Sequence, residues 1–167
     1  LEEPGLFRLA GNRDTMEMIK AKLNEGLKLD EIPFEVEVHD ISNILKQYFR
    51  LLPEPLISYE LYPKFLQLGN VKGAAAHKII PQLKGLIEQL QPQAQLTLGE
   101  IIRFLVEVAD NSDVNKMTPE NLSICWCPNI FRPPQESPQS IMQEMPICFS
   151  LFAAFINFCS DIFEEDS

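Results

Sequence analysis

The stretch ISNILKQYFRLLPEPL, Ile41–Leu56, carries a helical pattern that stops at a pair of prolines. At about 100° per residue, Ile41, Ile44, Leu45, Tyr48 and Leu52 fall on one face. Asp40 stands where an N-cap is expected, and Pro53 and Pro55 forbid continuation. Lys46 and Arg50 are i, i+4 neighbours lying away from that stripe. Like charges at this spacing repel slightly, so the helix gains nothing from the pair. An ordinary solvated face is the plain reading of the pair on this evidence alone.

Working outward, the same pattern repeats along the chain. Asn12 is placed to cap a helix carrying Met16, Ile19 and Leu23, which Gly26 can end. The segment 27–40 is a connector whose alternating FEVEVHD has strand character. A short helix is expected after Ser58, with Pro63 in its first turn, and another across 74–90 around Pro81. Thr97 opens a segment in which Leu98, Ile101, Ile102, Leu105, Val108 and Ala109 recur with helical period. Thr118 as N-cap with Pro119 at N1 starts a further helix, which Pro128 is expected to close. A loop, RPPQESPQS, precedes a last long helix from about Ile141 to Phe163. With no strand pair, repeat or internal linker, the expectation is one all-α domain spanning residues 1–167.

Composition narrows the functional classes. The chain has 167 residues, 46% of them hydrophobic, which suits one buried core. Fourteen basic against 24 acidic residues give a formal charge of −10, so nucleic acid is not the expected partner. No uninterrupted apolar run reaches the roughly 18 residues of a bilayer span, and the acidic LEEPG start does not resemble a signal peptide. Cys125, Cys127, Cys148 and Cys159 lie among apolar residues without zinc-site spacing, so buried reduced thiols and no metal are expected. The pairs Glu2–Glu3 and Glu164–Glu165 read as solvated chain ends. There is no phosphate-cradling glycine loop and no recognisable nucleophile motif.

One arginine is out of place. Arg8 lies in PGLFRLAGNR, Pro4–Arg13, among Gly, Leu, Phe and Ala. Its charge is costly to bury, so it either snorkels to water or is offered to another molecule. Gly5 and Gly11 suit a loop that approaches another backbone closely.

Four blocks in order, GLFRLAGNR, LKQYFRLLPEPL, NKMTPENL and CPNIFR, resemble the Rho-family GTPase-activating (RhoGAP) domain. That family reads approximately G-I-F-R-x-S-G, L-K-x-F-L-R-x-L-P-E-P-L, N-K-M-T-x-x-N-L and G-P-x-L. The ending FINFCSDIF resembles the family's last helix. The resemblance covers nearly the whole chain and implies an all-helical domain that binds a Rho-, Rac- or Cdc42-type small GTPase. It implies that Arg8 enters the GTPase nucleotide site as an arginine finger. It further implies that Lys46 and Arg50 hold the loop and contact the partner, with Asn115 and Asn121 lining that surface.

On this reading the domain completes the active site of its partner and is not an enzyme by itself. It needs no cofactor of its own, since GTP and Mg belong to the GTPase. A monomeric cytoplasmic domain is expected, reaching membranes through flanking domains or its partner. Helical scaffolding, or docking of a GTPase without acceleration, is the alternative.

The chain departs from the pattern at Glu3-Pro4-Gly5, at Ala10 where Ser is usual, and at Trp126-Cys127 before Pro128. It also begins just before the arginine loop, so a domain lacking about one helix of upstream family sequence is expected, with apolar surface left uncovered near Arg8.

Overall fold

A computed structural model describes residues 1–70 and 76–163, and among these every regular element is helical. The expectations for Ala74, Ala75, Glu164 and Glu165 lie outside the described residues. After the Arg8 loop, α1 spans Arg13–Asn24, with the Asn12 side chain accepting from the Thr15 amide as a cap. Gly26 follows at φ +91°, a left-handed turn that a side chain would strain.

The alternating FEVEVHD is not a strand. No second strand is available to pair with it among the described residues, and Val38 already starts α2, Val38–Arg50. Asp40 is not the cap of α2. Glu37 holds the cap position, and the buried Asp40 carboxylate instead accepts from the Asn12 amide at 2.7 Å.

Helix α3 spans Tyr62–Gly69, starting later than Ser58 and carrying Pro63 in its first turn as expected. Helix α4, Ala76–Ile87, carries Pro81 within it. Helix α5, Pro92–Asp110, begins five residues before Thr97, because Pro92 fits the first helical turn and nothing in Gln93–Leu96 interrupts the helix. A single turn, α6, Ser112–Asn115, ends at Lys116 with φ 64°. The Thr118 cap of α7, Pro119–Ile130, is present, its hydroxyl accepting from the Asn121 amide. Pro128 does not close α7; the last turn continues to Ile130, and the Asn129 side chain donates to the Cys125 carbonyl at 3.1 Å.

The final long helix is two pieces. Helix α8, Pro138–Asn157, is opened three residues early by a Ser137–Ser140 capping box, and Phe158 breaks it before α9, Cys159–Ile162. By length and composition alone α8 is long and apolar enough to cross a bilayer. Here its Cys148, Leu151, Phe152 and Phe155 are in the domain core.

That core is aromatic. Phe131 stacks on Phe155 at 6.0 Å and meets Phe65 edge-on at 5.6 Å. Trp126 of α7, fully buried, extends the cluster to Phe49 of α2 and to Phe7 of the N-terminal loop.

The apolar stripe of α2 is only partly inward, with Ile41, Ile44 and Leu52 half-buried. The buried residues of α2 are Asp40, Ser42 and Phe49, whereas Leu45 is 38% and Tyr48 62% exposed. The helix turns its polar side inward because that side meets α7 and the N-terminal loop.

Candidate finger loop and its supports

Residues 4–9 form a tight turn closed by Arg8 and Leu9 amides, both donating to the Gly5 carbonyl at 2.9 Å. Gly5 has φ +70° and Phe7 φ +69°. A left-handed phenylalanine costs on the order of 1–3 kcal/mol. Burial of its ring against Trp126 at 5.1 Å and Phe104 at 6.1 Å offsets that strain. Phe7 is thus a plug in the core, and the next residue, Arg8, emerges into solvent.

The carbonyls on both sides of Arg8 are held by α2. Lys46 Nζ donates to the Phe7 carbonyl at 2.6 Å, and Asn43 Nδ2 donates to the Leu9 carbonyl at 2.8 Å. Farther along, Gly11 lies so close to α2 that an added Cβ would stand 2.9 Å from Asp40 Cα. At the other end the Gly5 amide donates to the Asn115 carbonyl.

Lys46 is half-buried, not solvated. Burial lowers its pKa, partly countered by the nearby Cys125 thiol. Burial pushes the Cys125 pKa up, against the opposing influence of Lys46 and Arg8. Both cations therefore lie within electrostatic reach of one position on α7. Asn121 sits one helical turn before Cys125, on the same side of α7. Arg50, one turn after Lys46, is exposed at the rim of a cleft lined by Pro128, Phe131, Met142 and Phe149.

The two asparagines part company. Asn115 is fully buried, which corrects its expected place on the partner surface. Its Nδ2 donates to the Leu1 and Val108 carbonyls, and its Oδ1 accepts from the Met117 amide. It is an internal tie between the N-terminal segment and α5. Asn121 is half-buried and its Nδ2 donates to the Lys116 carbonyl at 2.9 Å, fixing the left-handed turn before α7. That cap leaves it at the surface.

Asn43 and Asp40 escaped the sequence reading as loop supports. Their three-residue spacing with Lys46 was the available signal, hidden because the wheel placed the apolar stripe inward. Among the described residues no group of three or more His, Cys, Asp or Glu side chains could hold a metal ion, and Cys125, Cys127 and Cys148 are free thiols.

The RhoGAP domain family matches residues 1–135. The chain belongs to the RhoGAP domain family. It is 32% identical over its full length to Rho GTPase-activating protein 24 of Mus musculus, covering 22% of that protein. Over 81% of the chain it is 34% identical to Rho GTPase-activating protein 44 of Rattus norvegicus, covering 16% of it. The chain therefore spans about a fifth of the length of these curated relatives. Among solved structures it is similar to the BH domain from GRAF, the GTPase regulator associated with focal adhesion kinase. That match has a TM-score of 0.82, 25% identity, and coverage of 98% of this chain and 86% of the other. Human Rho GTPase activating protein 15 shares the fold at TM-score 0.86 and 24% identity, over 97% of this chain and 76% of that one.

Proposed function

We propose that this domain binds a GTP-loaded Rho-family small GTPase and inserts Arg8 into its nucleotide site to accelerate hydrolysis. The observation that carries the reading is the finger loop. An exposed arginine stands between two carbonyls fixed by Lys46 and Asn43, directly after a side chain plugged into the core. Family membership and the names of the relatives support the same class of partner.

As the γ-phosphoryl group transfers, charge redistributes over its oxygens. A guanidinium is always ionised and offers planar paired donors, which an ammonium cannot reproduce. Arginine fingers supplied in trans are worth roughly 10³–10⁵ in rate. Fixing the loop in advance means that less ordering is left to the moment of association. Lys46 supports the loop from behind, while Arg50 and Asn121 supply surface contacts. GTP and Mg are the partner's, and the domain acts as a monomer in the cytoplasm.

The test is single-turnover GTP hydrolysis by Rho-, Rac- and Cdc42-type GTPases with the parent domain and with Arg8→Ala and Arg13→Ala. Acceleration should vanish with Arg8→Ala and survive Arg13→Ala, whose arginine is the first residue of α1. Binding without acceleration by the parent would instead define a docking module.

A further inference from the structure

We propose that Asn43 is a positioning residue for Arg8, the central rung of a polar ladder on α2 that sets the finger loop. This rests on the assignment of Arg8 as the finger. Asp40, Asn43 and Lys46 are spaced by three residues along one side of α2. They engage Asn12, Leu9 and Phe7 respectively, so the helix and the loop run past each other in opposite directions. Each rung holds a backbone group of the loop, leaving the side chain of Arg8 unengaged by the ladder.

Asn43 is suited to its rung by its two N–H donors. One reaches the Leu9 carbonyl at 2.8 Å and the other the His39 carbonyl at 2.7 Å, one turn back on its own helix. The second bond fixes the amide so that the first points at the loop. Both partners are acceptors, so the amide nitrogen, not the oxygen, must face them. Lys46 fixes the residue before Arg8 and Asn43 the residue after it. Loss of the Asn43 bond would leave Leu9, the residue directly after the finger, without a tie to α2, the next one lying at Asn12. Charge on the transferring phosphoryl oxygens and on the bridging oxygen that leaves with the diphosphate is neutralised only by a closely placed guanidinium.

Two substitutions separate this role from a merely structural one. Asn43→Asp keeps the shape and turns the donor into an acceptor facing two carbonyls. Asn43→Ser keeps a hydroxyl able to bond the His39 carbonyl within the helix but is too short to reach Leu9. In single-turnover assays against a Rho-family GTPase, both should lower the maximal rate at saturating domain by about tenfold, the scale on which small misplacements act. The half-saturating concentration should stay at the parent value. In the free domains, trypsin cleavage after Arg8, followed by mass spectrometry, should become several-fold faster.

Circular dichroism melts identify any variant that fails to fold; if Asn43→Asp does, Asn43→Ser carries the test. An inactive Arg8→Ala beside Asn43 variants with the parent rate overturns this inference alone. So does a raised half-saturating concentration with an unchanged maximal rate, which would make Asn43 a contact residue. A lowered rate with unchanged cleavage at Arg8 also overturns it. A fully active Arg8→Ala overturns the finger assignment, and the role of Asn43 falls with it.

Discussion

In α5 the residues Leu98, Ile102, Leu105 and Val108 are fully buried, and the polar Glu100 and Glu107 look outward. In α2 the apolar Leu45, Tyr48 and the adjoining Leu51 are exposed, while Asp40 and Ser42 are buried. Both helices are amphipathic, but they are turned differently. α5 packs against α6, α7, α8 and α9, its Leu98, Ile102, Leu105 and Val108 in the apolar core. The inner side of α2 meets a tight loop with backbone amides and carbonyls that no regular structure satisfies. Asp40, Asn43 and Lys46 of α2 supply partners to these groups, which are part-buried at Phe7 and Asn12 and exposed at Leu9. One helix supplies stability, and the other supplies geometry for Arg8.

The difference can be broken most severely at the tip of the supported loop. Arg8→Ala should reduce GTPase acceleration by about 10³ or more. Its melting temperature should match the parent, because an exposed side chain is removed. Parallel hydrolysis and melting measurements check both halves.

Next in size is a truncation on α5. Leu105 is fully buried, so Leu105→Ala should cost about 2–5 kcal/mol of unfolding free energy in urea titrations. The folded fraction should accelerate hydrolysis normally. A large rate effect with little loss of stability would erase the contrast between the helices.

Lys46→Met sits between these extremes. It leaves the Phe7 carbonyl without its donor, and about 1–3 kcal/mol should be lost in stability and engagement together. The same substitution has a pH signature. Burial lowers the folded pKa of Lys46 below its ordinary value of 10.5, so in the window between them the unfolded chain binds more protons. Parent stability relative to Lys46→Met should therefore rise as pH climbs through that window. Denaturant titrations across alkaline pH would show a flat or falling difference if the lysine were solvated.

The smallest effect belongs to the outer stripe of α2. Leu51 is 75% exposed, and Leu51→Gln should change unfolding free energy by no more than about 0.5 kcal/mol. A loss on the scale of a core truncation would mean that α2 is oriented like α5 after all.

Much of the molecule was legible from residue order. The Asn12 and Thr118 caps are local, depending on a side-chain oxygen and an amide three residues on, and both are in place. The buried face of α5 follows from its period. Arg8 could be singled out because a charged residue in an apolar run needs a reason. The start of α5 had a local signal in Pro92 at its first turn. The end of α7 and the break at Phe158 were not legible, because neighbouring side chains carried those helices past or short of their local signals. Asn115 was misplaced for a related reason. Its residue type suits a surface, and only the folded chain brings the Leu1 and Val108 carbonyls to its amide.

By itself the sequence determined that the domain is helical, where most helices lie, and which arginine stands apart, since these depend on interactions within a few residues. Tertiary structure alone decided which side of α2 is inside. Helical periodicity defines two faces but carries no information about what each will meet. Here the loop reaches α2 from residues about 30 positions away, as the 28-residue separation of Asn12 and Asp40 and the 34-residue separation of Leu9 and Asn43 show. Its unsatisfied backbone groups made the polar face the one to bury.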